Sequence, residues 1–215
     1  MKGALRRFPV IALGVIGLTT ILALVHALTR WSSPQYRVAV LFLAGYLIWL
    51  VLEANVTIRS AREDPRTTDR GTVLLYGLAR VVLVLTALLI PPTWEAYRPW
   101  MPLLLVPFVG GVALRLWAIR TLGRFYSHKV RTVTDHQIVR AGPYRLVRHP
   151  AYAGMLLAHL AFVLFFLNNA SAAALVVLLA PAVVVRILVE ERLLFATTEY
   201  AGYAAGLRRL VPFVW

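Results

Sequence analysis

Long, mostly apolar segments constrain this chain more than any other feature. Six of them contain 17 to 21 residues each, and a helix needs about 20 to cross the roughly 30 Å hydrocarbon core of a bilayer. In hydrocarbon the backbone must satisfy its own hydrogen bonds, which favours helices. The sequence therefore predicts an all-α fold, a polytopic transmembrane helical bundle of about six spans. The runs are 8–28, 38–58, 72–90, 100–119, 151–167 and 172–189.

Composition supports a membrane protein. Apolar residues make up 60% of the chain and charged residues 15%, against about 25% charged in a typical soluble domain. The first run is longer than the apolar region of a signal peptide, about 7–15 residues, so we expect a retained first helix. The fourth run holds two prolines and two adjacent glycines, so a kink is expected there.

The distribution of Lys and Arg predicts the orientation. Seventeen of the 23 basic residues lie at one set of span ends, including seven between residues 120 and 148. The opposite ends carry only Arg30, Arg37 and Arg98. By the positive-inside rule, both termini and the 120–148 loop are expected in the cytoplasm. This topology also accounts for the net charge of +14, so no nucleic-acid partner is expected.

We expect a single membrane domain with two parts. Residues 1–119 form a four-helix scaffold, and residues 120–215 contain the cytoplasmic loop, a C-terminal helical hairpin and a tail. Only 168–171 separate the two hairpin helices. The loop is long for a chain whose other connections are short, and loops of this length are commonly functional. The absence of cysteine excludes thiolate catalysis and disulfides.

The loop ends in a polar motif at the start of the fifth span. Pro150 suits the first position of a helix, which places His149 at the cap. Free N–H groups there favour an anion such as a carboxylate, and Tyr152 lies on nearly the same face. The alternative is an interfacial anchor at the level of the lipid headgroups.

A second polar cluster ends the sixth span. Arg186, Glu190 and Glu191 follow a long apolar run, and Arg186 and Glu190 are four residues apart and can pair. The alternative is a salt bridge that merely terminates the helix. Because the two helices form a hairpin, this cluster is expected to return beside His149 and Tyr152.

Together these motifs resemble the isoprenylcysteine carboxyl methyltransferase family. The pattern is Arg-His-Pro-x-Tyr, followed one hairpin later by Glu-Glu, and residues 148–152 and 190–191 match it. The stretch 136–144 and the tail 199–212 are also similar. The resemblance covers about 122–212, whereas the first three helices resemble the family only as apolar spans.

The resemblance implies a membrane methyltransferase whose cytoplasmic loop closes over S-adenosylmethionine, with a lipid substrate entering from the bilayer. Glu190 or Glu191 would hold the amino group or the ribose hydroxyls of the cofactor. If the acceptor is a carboxylate, Arg186 would dock it, and if the acceptor is an amine, Glu190 would activate it. The catalytic candidates are therefore Arg186, Glu190 and Glu191. The other residues that the resemblance assigns to the cofactor are His136, Gln137, Ile138, Val139, Gly142, Tyr144, His149 and Tyr152.

Several polar residues inside the spans receive a structural interpretation. A buried Glu53–Arg80 pair is expected, with Arg80 as a ligand of a substrate headgroup as the alternative. Arg115 is expected to extend to the interface. The lone histidines His26 and His159 are expected to make packing or polar contacts, and no metal site is expected because the five histidines lack ligand spacing.

Two other functions remain open from the sequence. One is a membrane reductase of the sterol type that uses NADPH, and the other is a non-enzymatic anion carrier. The acceptor could be a prenylated cysteine carboxylate, a phospholipid amine or a small hydrophobic thiol. The 21 arginines against two lysines point to a GC-rich prokaryote and its inner membrane. Lipophilic or lipidated substrates and membrane lipids are the expected partners, and the oligomeric state is open.

Overall fold

The computed structural model describes residues 2–62, 71–123, 139–196, 198–211 and 215. Within these ranges the fold is all-helical, and its one β-type contact is an isolated bridge between Val147 and Arg208. The helices are α1 Lys2–Thr29, α2 Pro34–Arg62, α3 Thr72–Leu89, α4 Leu105–Leu122, α5 Pro150–Phe165, α6 Asn169–Leu194 and α7 Thr198–Ala204. Short 3-10 turns, Met101–Leu104 and Gly142–Arg145, precede α4 and α5.

Five helices of the described part are long and apolar enough to cross a bilayer, namely α1, α2, α3, α4 with its preceding turn, and α6. The sixth predicted span is α5, which has only 16 residues and is therefore about 24 Å long. The prediction of an all-α bundle is confirmed, and the chain is an integral membrane protein by the length and composition of its helices.

The last apolar run forms one long helix with a local irregularity. In α6 the stretch Ala174–Leu179 is a π-helix, between α-helical turns at Asn169–Ala173 and Ala180–Leu194. Pro181 follows directly and has no N–H to donate, so a local change of hydrogen-bond register is accommodated there. Asn168 caps the helix reciprocally with Ser171, which shortens the hairpin connection to residues 166–168.

The two helices of the hairpin pack against different neighbours. Helix α5 packs mainly on α4, and α6 packs mainly on α3. Gly111 of α4 and Gly154 of α5 make the α4–α5 crossing close, because a Cβ on either glycine would lie 2.5 Å from the carbonyl oxygen of the other. Gly111 belongs to the glycine pair that was expected to kink the fourth span, and it serves as a contact point between α4 and α5.

Aromatic residues of α2 form the centre of the core. The ring of Phe42 stacks on Phe165 at 4.7 Å and lies 5.1 Å from Phe108. Tyr46 is buried beside them, and its hydroxyl meets His159 Nε2 at 3.1 Å. The prediction of a polar contact for His159 is confirmed, and His26 lies 6.1 Å from the Tyr36 ring in an edge-on contact.

Two predictions about buried charges are wrong. Glu53 does not pair with Arg80 but with Arg115, through Nε–Oε1 at 2.5 Å and Nη2–Oε2 at 3.0 Å. Arg115 does not extend to the interface, since only 1% of its surface is exposed and Nη1 donates to the Ala151 carbonyl at 3.2 Å. Arg80 is on α3 and Arg115 is on α4, and the spacing of residues along the chain does not determine which of the two helices turns its arginine towards a carboxylate on α2.

Candidate functional site

The polar motifs meet where three helix ends come together. These are the start of α3, the start of α5 and the end of α6, and the C-terminal tail lies against them. Tyr152 and His149 of the α5 start each contact a glutamate of α6. The predicted return of α6 beside the α5 start is therefore confirmed.

Glu191 is buried and forms the centre of a cluster with two arginines and His149. Its Oε1 accepts from Arg148 Nη1 at 3.1 Å and lies 3.3 Å from His149 Nε2, and its Oε2 accepts from Arg209 Nε at 2.8 Å. Only 3% of Glu191 is exposed. Buried charges of this kind persist when they are paired and hydrogen-bonded, so Glu191 ties the α5 start and the tail to α6.

Arg148 extends this connection to α7. Its Nε and Nη2 donate to the carbonyls of Leu207 and Ala204, at 2.9 and 2.6 Å. The backbone N–H groups of Arg148 and His149 donate to the carbonyls of Arg208 and Arg209, at 2.8 and 2.9 Å. A guanidinium suits carbonyls at the end of a helix, so the motif and the tail form one unit.

Glu190 has different surroundings. Its Oε2 accepts from the Tyr152 hydroxyl at 3.0 Å, and the same hydroxyl accepts from Arg186 Nε at 2.7 Å. Arg186 is 3% exposed, and its Nη1 donates to Thr72 Oγ1 at 3.1 Å. Tyr152 therefore bridges Arg186 and Glu190, which the sequence suggested as a direct pair. Thr72, Arg186, Tyr152 and Glu190 form a hydrogen-bonded chain across α3, α6 and α5.

The end of the loop is anchored beside this chain. Gly142 has φ +56°, and a Cβ there would lie 3.0 Å from Thr121 Oγ1 and 3.2 Å from Trp117 Nε1. Val139 and the buried Tyr144 pack in a small cluster with Ala118, Ile119 and Ala151. The backbone of 139–145 therefore lies close against α4 and the α5 start.

Tyr144 is also held by the tail. The Tyr203 hydroxyl donates to the Tyr144 carbonyl at 2.8 Å. Burial raises the pKa of Tyr203 to about 12, so the hydroxyl keeps its proton and the bond at neutral pH. The Arg140 guanidinium lies 6.0 Å from the centre of the Tyr203 ring.

The structure brings five of the predicted residues together, namely Arg186, Glu190, Glu191, His149 and Tyr152. Val139, Gly142 and Tyr144 lie in the adjoining loop end. His136, Gln137 and Ile138 lie outside the described residues. Sequence analysis did not select Thr72 or Arg209 as site residues. Arg209 was within the tail that resembles the family, whereas nothing in the sequence distinguished Thr72.

In the described part of the chain, no group of three His, Asp or Glu side chains is arranged to hold a metal ion. The fold and the site together define the class of protein. It is a helical membrane protein in which a carboxylate, a phenol and a guanidinium form a polar site at one rim of the bundle, where helix ends meet. Comparison with known proteins gives the family.

Residues 103–196 match the isoprenylcysteine carboxyl methyltransferase (ICMT) family. A rice protein (Oryza sativa subsp. indica), named as a probable protein-S-isoprenylcysteine O-methyltransferase, is 31% identical over 146 residues, which cover 66% of this chain and 76% of the relative. The chain belongs to the ICMT family. The likeness to the rice protein extends beyond the stretch 122–212 that carries the motifs.

Two further relatives match a shorter stretch. Protein-S-isoprenylcysteine O-methyltransferase B of Arabidopsis thaliana is 35% identical over 108 residues, which cover 48% of this chain and 55% of the relative. Protein-S-isoprenylcysteine O-methyltransferase of Saccharomyces cerevisiae is 33% identical over 108 residues, which cover 48% of this chain and 45% of the relative. The chain thus matches about half the length of these two relatives.

Proposed function

We propose that this chain is a membrane methyltransferase that transfers the methyl group of S-adenosylmethionine to a lipophilic acceptor at the cytoplasmic rim of the bilayer. The observation that carries the proposal is the chain Arg186–Tyr152–Glu190, which joins α5 and α6 beside the loop end in a member of this family. The relatives are named as methyltransferases, which favours methyl transfer over reduction with NADPH or anion transport.

The two glutamates suit different tasks. Glu191 is buried and already has two arginines and His149 as partners, so we assign it to holding the tail in place. Glu190 is partly exposed and accepts from the neutral Tyr152 hydroxyl. Its negative charge suits the cationic amino group and sulfonium of S-adenosylmethionine, and the chemistry of the residues present therefore fits this cofactor.

Arg186 would position the acceptor. S-adenosylmethionine supplies an activated methyl group, so alignment and exclusion of water account for most of the rate. A carboxylate acceptor is already a nucleophile and needs no base, but it needs a cation to dock it. Arg186 lies where α3, α5 and α6 meet, so its guanidinium is the cation that we propose for docking. An amine acceptor would instead require Glu190 as its base.

Calorimetry of cofactor binding tests the class of enzyme. We expect the wild-type protein in nanodiscs to bind S-adenosylmethionine and not NADPH. Glu190→Gln and Tyr152→Phe should each weaken that binding by about tenfold, the effect of losing roughly 1.4 kcal/mol. A protein that binds NADPH, or that binds neither ligand, would contradict the proposal.

An acceptor series tests the class of substrate. Prenylated cysteine carboxylates of increasing tail length should show a falling KM, because each buried CH₂ contributes up to about 0.8 kcal/mol relative to water. Arg186→Ala should lower kcat/KM for the acceptor more than it lowers cofactor affinity. If short water-soluble acceptors react as well as lipid-tailed ones, the substrate does not come from the bilayer.

The orientation of the protein in the membrane and its cellular location are part of the same proposal. Positive charge gathers at one set of helix ends, which places both termini and the site in the cytoplasm under the positive-inside rule. Both termini lie on one side only if α5 and its connection complete a sixth crossing. With 21 arginines and two lysines, we further propose the inner membrane of a GC-rich prokaryote.

A further inference from the structure

A cavity lies between α1, α2 and α3, and none of the three residues of the Arg186–Tyr152–Glu190 chain lines it. The cavity is partly open, and about 530 Å³ of empty space, part of it open to the surroundings, lies between its walls. Its walls are mostly apolar, with Ala12, Leu13, Ile16 and Leu50 among them, and two polar side chains of α3, Tyr76 and Arg80, also line it.

The cavity runs along the same end of the bundle as the site. Along α3 it extends from Val73 to Arg80, a rise of about 10 Å. Val73 follows Thr72, which binds Arg186. Arg80 therefore lies about two helical turns from Thr72, near the middle of α3 and inside the span.

Arg80 has hydrogen-bonding capacity that its neighbours do not use. Its Nε donates to the Tyr46 hydroxyl at 3.2 Å, and its guanidinium lies over the Trp49 ring at 4.8 Å. Its Nη2 is buried and has no hydrogen-bond partner within the described residues, and the same holds for the buried hydroxyl of Tyr76. Because the two residues are four positions apart, they lie on one face of α3.

The charges around Arg80 do not balance in the described part of the structure. Glu53 lies in the same core region, but both of its oxygens bind the Arg115 guanidinium. The pair Glu53–Arg115 is neutral, so Arg80 adds a positive charge with no carboxylate within salt-bridge distance among these residues. A cation inside a span is costly and commonly marks a functional site, and an unpaired one is the more costly.

We propose that this cavity binds a single-chain lipophilic carboxylate, with the carboxylate on Arg80 Nη2 and the Tyr76 hydroxyl and the tail along the apolar walls. A carboxylate carries one negative charge, which balances the one excess guanidinium, whereas a phosphate dianion would bring a second charge into the span. The proposal does not depend on the methyltransferase activity.

This ligand is not the methyl acceptor. Eight residues separate Arg80 from Thr72, about 12 Å along α3, and the Arg186–Tyr152–Glu190 chain is at the Thr72 end. A carboxylate on Arg80 is therefore out of reach of a methyl group held beside Glu190. The cavity is a second lipid site in the scaffold half of the chain.

Binding of dodecanoate to the intact protein in phosphatidylcholine nanodiscs tests the proposal. We expect saturable binding of one radiolabelled dodecanoate per chain and binding of methyl dodecanoate that is weaker by about tenfold or more, the loss of a charge-assisted hydrogen bond. The ester keeps a carbonyl oxygen, loses the charge and adds one methyl group. Equal affinity for acid and ester would overturn the proposal.

Variants locate the binding to this cavity. Arg80→Gln should lower dodecanoate affinity about tenfold or more, and Tyr76→Phe by a smaller factor, about threefold to tenfold. Arg37→Gln is the control, because Arg37 is an exposed arginine of α2 that contacts Trp31 and lies outside the cavity. Unchanged affinity in Arg80→Gln would overturn the assignment.

If Arg80→Gln does not fold, two variants that differ in whether they fill the cavity test the assignment instead. Ala12→Phe places a ring into the cavity and keeps Arg80, so it should abolish dodecanoate binding. Gly14→Phe adds the same ring on α1 where a Cβ meets nothing within 4 Å, and it should bind dodecanoate like the wild type. Equal binding by both variants would contradict the proposal. So would cofactor-dependent formation of methyl dodecanoate that Arg80→Gln abolishes, since the cavity would then be the acceptor site.

Discussion

Glu190 and Glu191 are chemically identical and adjacent, yet their side chains face different neighbours. Successive residues of a helix point about 100° apart, and this rotation directs Glu191 towards Arg148, His149 and Arg209 and Glu190 towards Tyr152. One carboxylate is thereby neutralised by cations of the tail and the α5 start, and the other is left partly exposed beside a phenol.

Substitution of the two glutamates separates stability from activity. Glu191→Gln removes the buried negative charge that pairs with Arg148 and Arg209 and should lower the free energy of unfolding by about 3 kcal/mol, visible as a lower Tm in thermal unfolding followed by tryptophan fluorescence. Glu190→Gln should leave Tm nearly unchanged and lower methyl transfer by about tenfold or more. Equal, mild effects of both substitutions would mean that the pair only terminates the helix.

Tyr203 gives a prediction about alkaline pH. Burial raises its pKa to about 12, above the value near 10 of an exposed tyrosine. The stabilisation from its neutral hydroxyl is therefore fully present below about pH 10 and is lost as the pH rises towards 12. Tyr203→Phe should lower stability at pH 7 by about 1–3 kcal/mol, because the Tyr144 carbonyl loses its donor, and should flatten the fall in stability above pH 10.

The control for Tyr203→Phe is Tyr97→Phe, since Tyr97 is 38% exposed. It should leave both the stability at pH 7 and its alkaline decline unchanged. Part of the decline will persist in Tyr203→Phe, because burial also raises the pKa of Tyr200. A decline as steep in Tyr203→Phe as in the wild type would contradict the role given to this hydroxyl.

Among the elements, the crossing of α4 and α5 determines where the α5 motif lies. A Cβ at Gly111 would lie 2.5 Å from the Gly154 carbonyl oxygen and 2.6 Å from the Ala158 nitrogen. Both are backbone atoms, so no side-chain rotation can relieve the contact. Arg115, one turn further along α4, binds the Ala151 carbonyl, which fixes the position of the α5 start next to α4.

Adjacent glycines of α4 provide a matched pair of variants. Gly111→Ala should separate α4 from α5, lowering stability by about 1–3 kcal/mol and reducing activity with it. Gly110→Ala places a methyl group where nothing lies within 4 Å and should be neutral or stabilising by up to about 1 kcal/mol, the difference in helix propensity. Thermal unfolding of both variants provides the measurement, and equal effects would contradict the close crossing.

The elements also show what the sequence could and could not predict. The length and spacing of the apolar runs predicted the helices, and the order of the polar motifs predicted that His149 and Tyr152 would meet Glu190 and Glu191. Contacts that depend on the rotation of a helix were not predictable. Glu53 binds Arg115 rather than Arg80, because composition and spacing leave open which of two arginines faces a carboxylate on another helix.

In the molecule as a whole, the site and the cavity lie at the same end of the bundle. The positive charge of the sequence also gathers at the ends of α2, α4 and α6 on that side. In the orientation proposed above, anionic headgroups of the cytoplasmic leaflet would meet this surface. A lipophilic acceptor from the bilayer and a polar cofactor from water can then approach a rim site from opposite directions.

The orientation can be measured directly because the chain contains no cysteine, so single cysteines can be introduced without removing native thiols. Ser32 lies between α1 and α2, and Asn169 begins α6 at the end away from Glu190. A membrane-impermeant maleimide added to spheroplasts should label Ser32→Cys and Asn169→Cys. Ala205→Cys follows α7 in the tail and should be labelled only in inside-out vesicles. Labelling of Ser32→Cys and Ala205→Cys from one side and of Asn169→Cys from the other would mean that α5 does not complete a crossing and that the termini do not share a compartment.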